Sequence, residues 1–393
     1  MQKKIIALAV AGLVSGGAFA QSSVTIFGLW DVSYVVNNAK GTTSGIDNSA
    51  IGSTHLGFKG VEDLGNGMKA FFALRENINP LTGGTGSGAS GATTAGYNDF
   101  NAWAHVGLSG GFGTVTVGRQ TVPVFATFGA VDALGAASLG LGQQWGSVQT
   151  LGVPNALTGA VWPLPSNTQG GARTPQAYAG GLGYATPNMG GFQGKLFTTL
   201  GNNITGASFG DNNLKEVGVS YNNMGISFNW AYDWTTNRVT ANAAGAFPAT
   251  ITEMKTNVLG LAYTMGKVKI SGSYYKVMYD ASLKAVNHDN SAYSIGAIYN
   301  AAPWRMGAEF TAGKDNIDGR NKDNILGFLA GYSLSKRTEL YGLLGIVNNS
   351  GNASLQPIWA APTLVTAVGP VVSSLDARGT RNTSVVFGIR HAY

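Results

Sequence analysis

The strongest constraint in this sequence is an alternation of apolar and polar residues with a period of two. Within residues 24–36, Trp30, Val32 and Tyr34 lie on one face, whereas Asp31 and Ser33 lie on the other. This period is that of a β-strand with one apolar face. After residue 20, no apolar run approaches the roughly eighteen residues of a transmembrane helix. The pattern therefore excludes a helical membrane protein.

The same alternation recurs along the chain and predicts sixteen strands of an all-β protein. The predicted strands are residues 24–36, 55–63, 68–77, 101–109, 114–120, 177–186, 193–201, 214–222, 226–234, 257–265, 267–279, 292–300, 305–313, 324–334, 338–347 and 383–393.

The connections between these segments alternate between short and long. Short ones such as 64–67 and 110–113 are separated by long ones such as 78–100 and 348–382. An even number of strands with alternating short turns and long loops is typical of an outer-membrane barrel. Closure of such a barrel removes the sheet edges that lipid cannot hydrate. We therefore expect a 16-stranded antiparallel transmembrane β-barrel.

The first twenty residues are typical of a secretory signal peptide. Lys3 and Lys4 precede a short apolar core, and the small residues Ala18 and Ala20 form an A-x-A cleavage site. We therefore expect residues 1–20 to be a signal peptide and residues 21–393 to form the barrel.

Composition narrows the function. Without the two N-terminal lysines, 23 basic residues stand against 19 acidic ones, and no basic run indicates a nucleic-acid partner. The chain has no cysteine, and its four histidines are isolated, so neither a metal site nor another cofactor is expected. A G-x-S-x-G match at 206–210 lies between strands with no helix after it, which argues against an enzyme.

The connection 121–176 is by far the longest, and a loop of that length is usually functional. A 16-stranded barrel is wide enough to hold an aqueous channel, so we expect this third long loop to fold into the lumen. Asp132 and Arg173 are its only charged residues, and its apolar residues include Trp145 and Trp162. Packing of the loop against the barrel wall is the alternative interpretation of these apolar residues.

Several motifs resemble the trimeric general porins of β-proteobacteria, in the order found in that family. They are SSVTIFGLWD at 22–31, THLGFKGVEDLGNGMKAFF at 54–72, VGLSGGFGTVTVGRQ at 106–120, YATPNMGGF at 184–192, LSKRTELYG at 334–342 and FGIRHAY at 387–393.

The resemblance implies an outer-membrane homotrimer that lets small hydrophilic solutes and ions diffuse passively, in contact with outer-membrane lipid and lipopolysaccharide. It also implies that the barrel-assembly machinery reads the last strand, through Phe387, Ile389 and Tyr393. Family members more often end in Phe. The alternative function is a substrate-specific channel for a neutral or amphiphilic solute. An enzyme on a barrel and a soluble secreted β-sandwich are more distant alternatives.

The sequence departs from the family at the expected pore constriction. Three positions that usually carry Arg hold His55, Ala102 and Ala177, and Arg75 stands where an acidic residue is usual. The candidate constriction residues are Arg75, Lys59, Arg119, His55, Asp132, Trp145 and Arg173. Because charged rings set ion preference in a pore, we expect weak ion selectivity, with Arg75 as its main source.

The signal peptide gives the first testable prediction. The purified protein should begin at Gln21 and fractionate with the outer membrane, because signal peptidase cleaves after small residues such as Ala20. N-terminal sequencing of the membrane-extracted protein checks the cleavage, and membrane fractionation checks the location. Recovery in the inner membrane or the soluble periplasm would contradict the prediction.

Overall fold

The computed structural model describes residues 23–38, 41–81, 83–84, 100–135, 178–199, 213–238, 251–281, 288–317, 319–351, 353, 364–366, 369–371 and 379–393. The expected signal peptide at 1–20 lies outside the described residues. So do Trp145, Trp162, Arg173 and Ala177.

Nineteen strands and one helix are described. They are β1 Ser23–Asn38, β2 Thr42–Asn48, β3 His55–Gly65, β4 Met68–Asn77, β5 Trp103–Gly110, β6 Gly113–Thr121, α1 Pro123–Val131, β7 Tyr178–Ala185, β8 Phe192–Thr198, β9 Asn213–Asn223, β10 Ile226–Arg238, β11 Ile251–Met265, β12 Val268–Ala281, β13 His288–Ala301, β14 Trp304–Asp315, β15 Lys322–Ser333, β16 Thr338–Ser350, β17 Leu364–Thr366, β18 Gly369–Val371 and β19 Arg381–Ala392.

The strands form a closed antiparallel barrel in which sequence neighbours pair and β1 pairs with β19. Residues 23–29 of β1 pair with β3, and residues 32–38 of β1 pair with β2 along the same edge. Strands β2 and β3 therefore lie end to end and together form the second barrel strand. Sixteen strands close the wall. The short β17 and β18 pair with each other. The sixteen strands predicted from the sequence are confirmed, one for one.

The short connections are confirmed as tight turns. Between β3 and β4, Asn66 and Gly67 have φ angles of 51° and 76°, and between β9 and β10, Met224 and Gly225 have φ angles of 50° and 79°. Two consecutive positive φ angles match the right-handed twist of the flanking strands in a two-residue hairpin. These turns fix the pairing register at one end of the barrel.

The two faces of the wall differ as the alternation predicts. Large apolar side chains such as Ile26, Leu261 and Ile295 are exposed on the outside, where a bilayer would cover them. Polar side chains such as Ser33 and Asn37 point inward. In the described part of the chain, no helix is long and apolar enough to cross a membrane.

The barrel closes at the chain terminus. Gly28 N–H donates to the Tyr393 carbonyl (3.3 Å), and Tyr393 N–H donates to the Gly28 carbonyl (3.2 Å). The Tyr393 ring lies over Gly28 on the outer face, where any Cβ would collide with it. Phe387 and Ile389 are exposed on the same face of β19. The three residues expected to direct assembly thus lie along the outer face of the closing strand.

Closure gives the second prediction. Replacing Tyr393 by Asp should lower the amount of folded barrel in the outer membrane several-fold, because the ring on Gly28 is lost and a charge enters the outer face. Tyr393→Phe keeps the ring and should assemble normally. Heat-modifiable mobility of the membrane fraction measures folding. Normal assembly of Tyr393→Asp, or of a Tyr393 deletion, would contradict the prediction.

Candidate pore constriction

The helix α1 lies inside the barrel, at the start of the third long loop. It packs against the inner faces of β9, β10, β11 and β12. Its residues Val124, Phe128 and Val131 are buried with the inward side chains of those strands, including Val258 and Tyr275. The predicted inward fold of the loop is confirmed for residues 122–135, and so is the alternative interpretation that its apolar side chains pack on the wall.

Glycines on the inner wall make room for this loop. A Cβ at Gly260 would collide with Val131. One at Gly307 would lie 2.8 Å from Leu134, and one at Gly218 would lie 3.3 Å from Pro123. Wall glycines thus follow the path of the loop from β9 to β14. The loop can lie flat because the side chains that would lift it are absent.

Polar contacts fix both ends of α1. The first N–H groups of a helix have no acceptor within the helix. Pro123 has no N–H, and Val124 N–H donates to Glu216 Oε2 on β9 at 2.7 Å. At the other end, Lys269 Nζ on β12 donates to the Ala130 carbonyl at 3.4 Å. A side-chain acceptor at the amino end and a side-chain donor at the carboxyl end thus satisfy backbone groups at both ends of the helix.

A second segment, between β2 and β3, also folds inward. The Asp31 carboxylate accepts the N–H groups of Ile51 and Gly52, each at 2.8 Å, and the Tyr341 hydroxyl donates to the same carboxylate. Ile51 is buried in an apolar cluster with Leu134 of the third loop and wall residues of β1, β13, β15, β16 and β19. The two inward segments therefore meet inside the barrel.

The inner wall of β1, β3, β4 and β5 carries aromatic and cationic side chains that keep part of their surface exposed. Arg75 lies with its guanidinium carbon 5.1 Å from the centre of the Trp103 ring, and Lys59 Nζ lies 5.4 Å from the centre of the Phe27 ring. His55 packs edge-on against Phe27, and its Nδ1 is 2.6 Å from the Ser53 carbonyl. The structure thus brings together Arg75, Lys59 and His55 of the predicted site.

Arg119 joins this wall from β6, through an irregularity that the sequence does not show. It pairs with Ala104, which has the outward parity of Val106 and Leu108, but Gly118 just before it has a φ of 117°. Its Nε donates to the Asn101 carbonyl at 2.5 Å. Tyr178 lies within electrostatic range of both Arg119 and Arg75.

Tyr178 connects these arginines to the third loop, because its ring contacts Phe125 of α1 with a centroid distance of 5.7 Å. Ala102, where the family usually has an Arg, is buried beside Tyr178 with Phe125 packed against them. The lumen beside α1 is therefore flanked by the wall that carries Arg75 and Arg119, and Tyr178 connects the two.

Asp132 does not belong to this group. It caps the end of α1, where its Oδ1 accepts Leu134 N–H at 2.8 Å, and it lies beside Glu309 of β14. The positions of Trp145 and Arg173 fall outside the described residues.

Sequence reasoning missed the aromatic neighbours of Arg75. Phe27, Phe71, Trp103 and His105 all lie on the inward parity of their strands. That parity was readable from the alternation, but the register between strands was not. Glu216 and Glu309, which contact the third loop, had no signal in the sequence beyond their inward position.

The described residues contain no group of three or more His, Asp and Glu that could hold a metal ion. A closed barrel with a polar interior, an inward loop and a cationic wall is the architecture of a diffusion channel. Residues 7–352 match the family described as Gram-negative porin. The chain belongs to this porin family.

Curated relatives support the assignment. The porin is 30% identical over 406 residues to outer membrane porin protein 32 of Delftia acidovorans, covering 100% of both chains. It is 26% identical over 363 residues to the major outer membrane protein P.IB of Neisseria gonorrhoeae, covering 86% of this chain and 91% of that one. The predicted family, outer-membrane location and passive diffusion function are confirmed.

Solved structures support the fold. The anion-selective porin from Comamonas acidovorans superposes with a TM-score of 0.73 at 24% identity, covering 95% of this porin and 100% of that chain. The trimer form of OmpT from Vibrio cholerae gives a TM-score of 0.60 at 13% identity, covering 95% and 99%. The predicted 16-stranded barrel is therefore confirmed.

The contact between Gly260 and Val131 gives the third prediction. Gly260→Leu should lift α1 off the wall into the lumen, which lowers single-channel conductance and destabilises the barrel by about 1–3 kcal/mol, as overpacking does. Gly272→Leu on the outer face of β12 is the matched control, because the nearest atom to its Cβ is 3.6 Å away. Equal conductance of both variants and wild type would contradict the wall position of α1.

Proposed function

We propose that this porin is a diffusion channel with a weak preference for anions, set by Arg75, Arg119 and Lys59. The observation that carries this proposal is the position of Arg75 and Arg119 around Tyr178, beside the helix that narrows the lumen. Fixed charges near a constriction act strongly on ions, because the low-dielectric wall focuses their field.

The acids of the inner wall weaken this preference less than their number suggests. Glu339 is paired with Arg305 and Arg390, each at 2.8 Å. Asp31 and Glu216 accept N–H groups of the inward segments. Glu339 therefore has two cationic partners, and Asp31 and Glu216 have backbone donors. The cations on the β3, β4 and β6 wall dominate the potential of the remaining passage.

Reversal of one of these charges gives the fourth prediction. Arg75→Glu should lower the chloride-to-potassium permeability ratio about two- to fivefold, the order expected for a two-charge change several ångströms from an ion in water. The reversal potential in a KCl gradient across a planar bilayer measures this ratio. The effect should be largest at low salt, because the Debye length is about 30 Å at 0.01 M and about 3 Å at 1 M.

Lys69→Glu is the matched control. Lys69 lies on the inward face of the same strand, near its periplasmic end, and undergoes the same change of charge. Its permeability ratio should stay close to that of wild type. A ratio that Arg75→Glu leaves unchanged, or that both variants change equally, would place the selectivity elsewhere in the channel.

We further propose that the porin functions as a homotrimer and that the barrel-assembly machinery reads its last strand. The family resemblance supports both, and the related structure from Vibrio cholerae is described as a trimer form. Chemical cross-linking of outer membranes, followed by electrophoresis without boiling, should give a band of three chains. A band of one chain under all conditions would contradict the trimer.

A further inference from the structure

Five rings form a continuous row on the inner wall, which we call the aromatic track: His55, Phe27, Trp103, His105 and Phe71. Successive ring centroids in this order are 5.8, 6.0, 6.3 and 6.3 Å apart. These spacings are those of interacting aromatic pairs. Each residue is only half-buried. The track therefore offers a run of ring surface within the barrel.

Glycines hold the track flat on the wall. A Cβ at Gly57 would collide with the Phe27 ring, and one at Gly107 would collide with the Phe71 ring. Phe27, Gly57, Arg75 and Trp103 lie in one register row across four strands. Since neighbouring strands are about 4.8 Å apart, the Cα atoms of Phe27 and Trp103 are separated by about 14 Å. Their rings come within 6.0 Å because both lean over Gly57 and Arg75.

Backbone carbonyls fix the two histidine rings of the track. His55 Nδ1 lies 2.6 Å from the Ser53 carbonyl, and His105 Nδ1 lies 3.0 Å from the Arg119 carbonyl. A carbonyl only accepts hydrogen bonds, so each Nδ1 carries a proton and donates it. The histidines therefore hold defined orientations beside the larger rings.

Cations accompany the rings at two points. Arg75 lies against Trp103, and Lys59 lies against Phe27. A guanidinium that stacks on a ring uses its flat face, so its N–H donors remain in the plane and can bind a carboxylate bidentately. A ligand such as benzoate, in which a flat ring is bonded directly to one carboxylate, can contact a ring and a cation of this wall at the same time.

The two inward segments have most of their described contacts on other parts of the inner wall. Helix α1 covers the wall of β9–β12, and the segment at Ile51 packs with residues of β1, β13, β15, β16 and β19. Among the described residues, the principal packing of both segments is on walls other than β3 and β4. Within the described part of the chain, the aromatic track therefore keeps an open face toward the lumen.

We infer that the aromatic track is a binding path for aromatic carboxylates, which the porin takes up in preference to aliphatic anions of the same size. This inference rests on the proposed anion preference and deepens it. The carboxylate binds Arg75 or Lys59, while the ring of the solute packs on Trp103 and Phe27. Weak successive contacts let the solute enter, move along the track and leave, as conduction requires.

The test compares benzoate, cyclohexanecarboxylate and acetate as blockers of chloride current through single channels in a planar bilayer. Benzoate and cyclohexanecarboxylate have the same charge and similar size, and only benzoate has a flat aromatic ring. Benzoate should interrupt the current at lower concentration than the other two. Trp103→Leu should weaken benzoate block about three- to tenfold, the loss expected for one ring contact, and leave cyclohexanecarboxylate and acetate unchanged.

Two further variants keep the test decisive. Phe27→Leu removes a different ring of the track and should also weaken benzoate block. This variant tests the track even if Trp103→Leu does not fold after losing its 2.9 Å hydrogen bond to Thr121. Trp30→Leu removes a ring from the outer face of the strand that carries Phe27 and should change nothing.

Equal block by benzoate and cyclohexanecarboxylate in wild type would overturn the inference. So would an unchanged ratio of the two in both track variants. The proposed anion preference is read separately, from the KCl reversal potential of wild type and of Arg75→Glu. A wild-type channel that prefers potassium would contradict that preference alone, so the two failures are distinguishable.

Discussion

The structure depends on one constraint: inside a bilayer, every backbone N–H and C=O group needs a partner within the protein. A sheet meets this requirement only if it closes, because an open edge leaves a row of unpaired groups. Here closure is completed by the pairing of β1 with β19 and of Gly28 with Tyr393. The apolar outer face and the polar inner face follow, since each strand must present one side to lipid and the other to the lumen.

Glycine decides how the interior of this barrel is used. Where a large side chain faces a glycine on the next strand, it can lie along the wall instead of projecting into the lumen. Gly57 and Gly107 do this for Phe27 and Phe71, and Gly260 does it for Val131 of the third loop. Glycines thus let Phe27 and Phe71 lie along one part of the wall, and let the third loop pack closely on another part.

Buried carboxylates have a different role from that of the arginines. Asp31 and Glu216 each accept backbone N–H groups of a segment that folds inward, so these hydrogen bonds stabilise the shape of the lumen. Arg75 and Lys59 instead lie against rings and keep part of their surface exposed. A count of inward charges would treat these groups alike. Their partners show which of these charged groups remain exposed to an entering ion.

Much of the fold was predictable from the sequence, because a period of two is a local property and each strand carries it independently of its neighbours. The strands, the tight turns and the inward parity of Arg75, Lys59 and His55 were all determined in this way. The tertiary structure alone decided which inward residues meet. The register places Trp103 beside Arg75, the positive φ of Gly118 accompanies the approach of Arg119 to this wall, and Asp132 lies with Glu309 away from the arginines. These contacts join residues from separate strands, and no tight turn sets the register between β4 and β5, which a long loop connects.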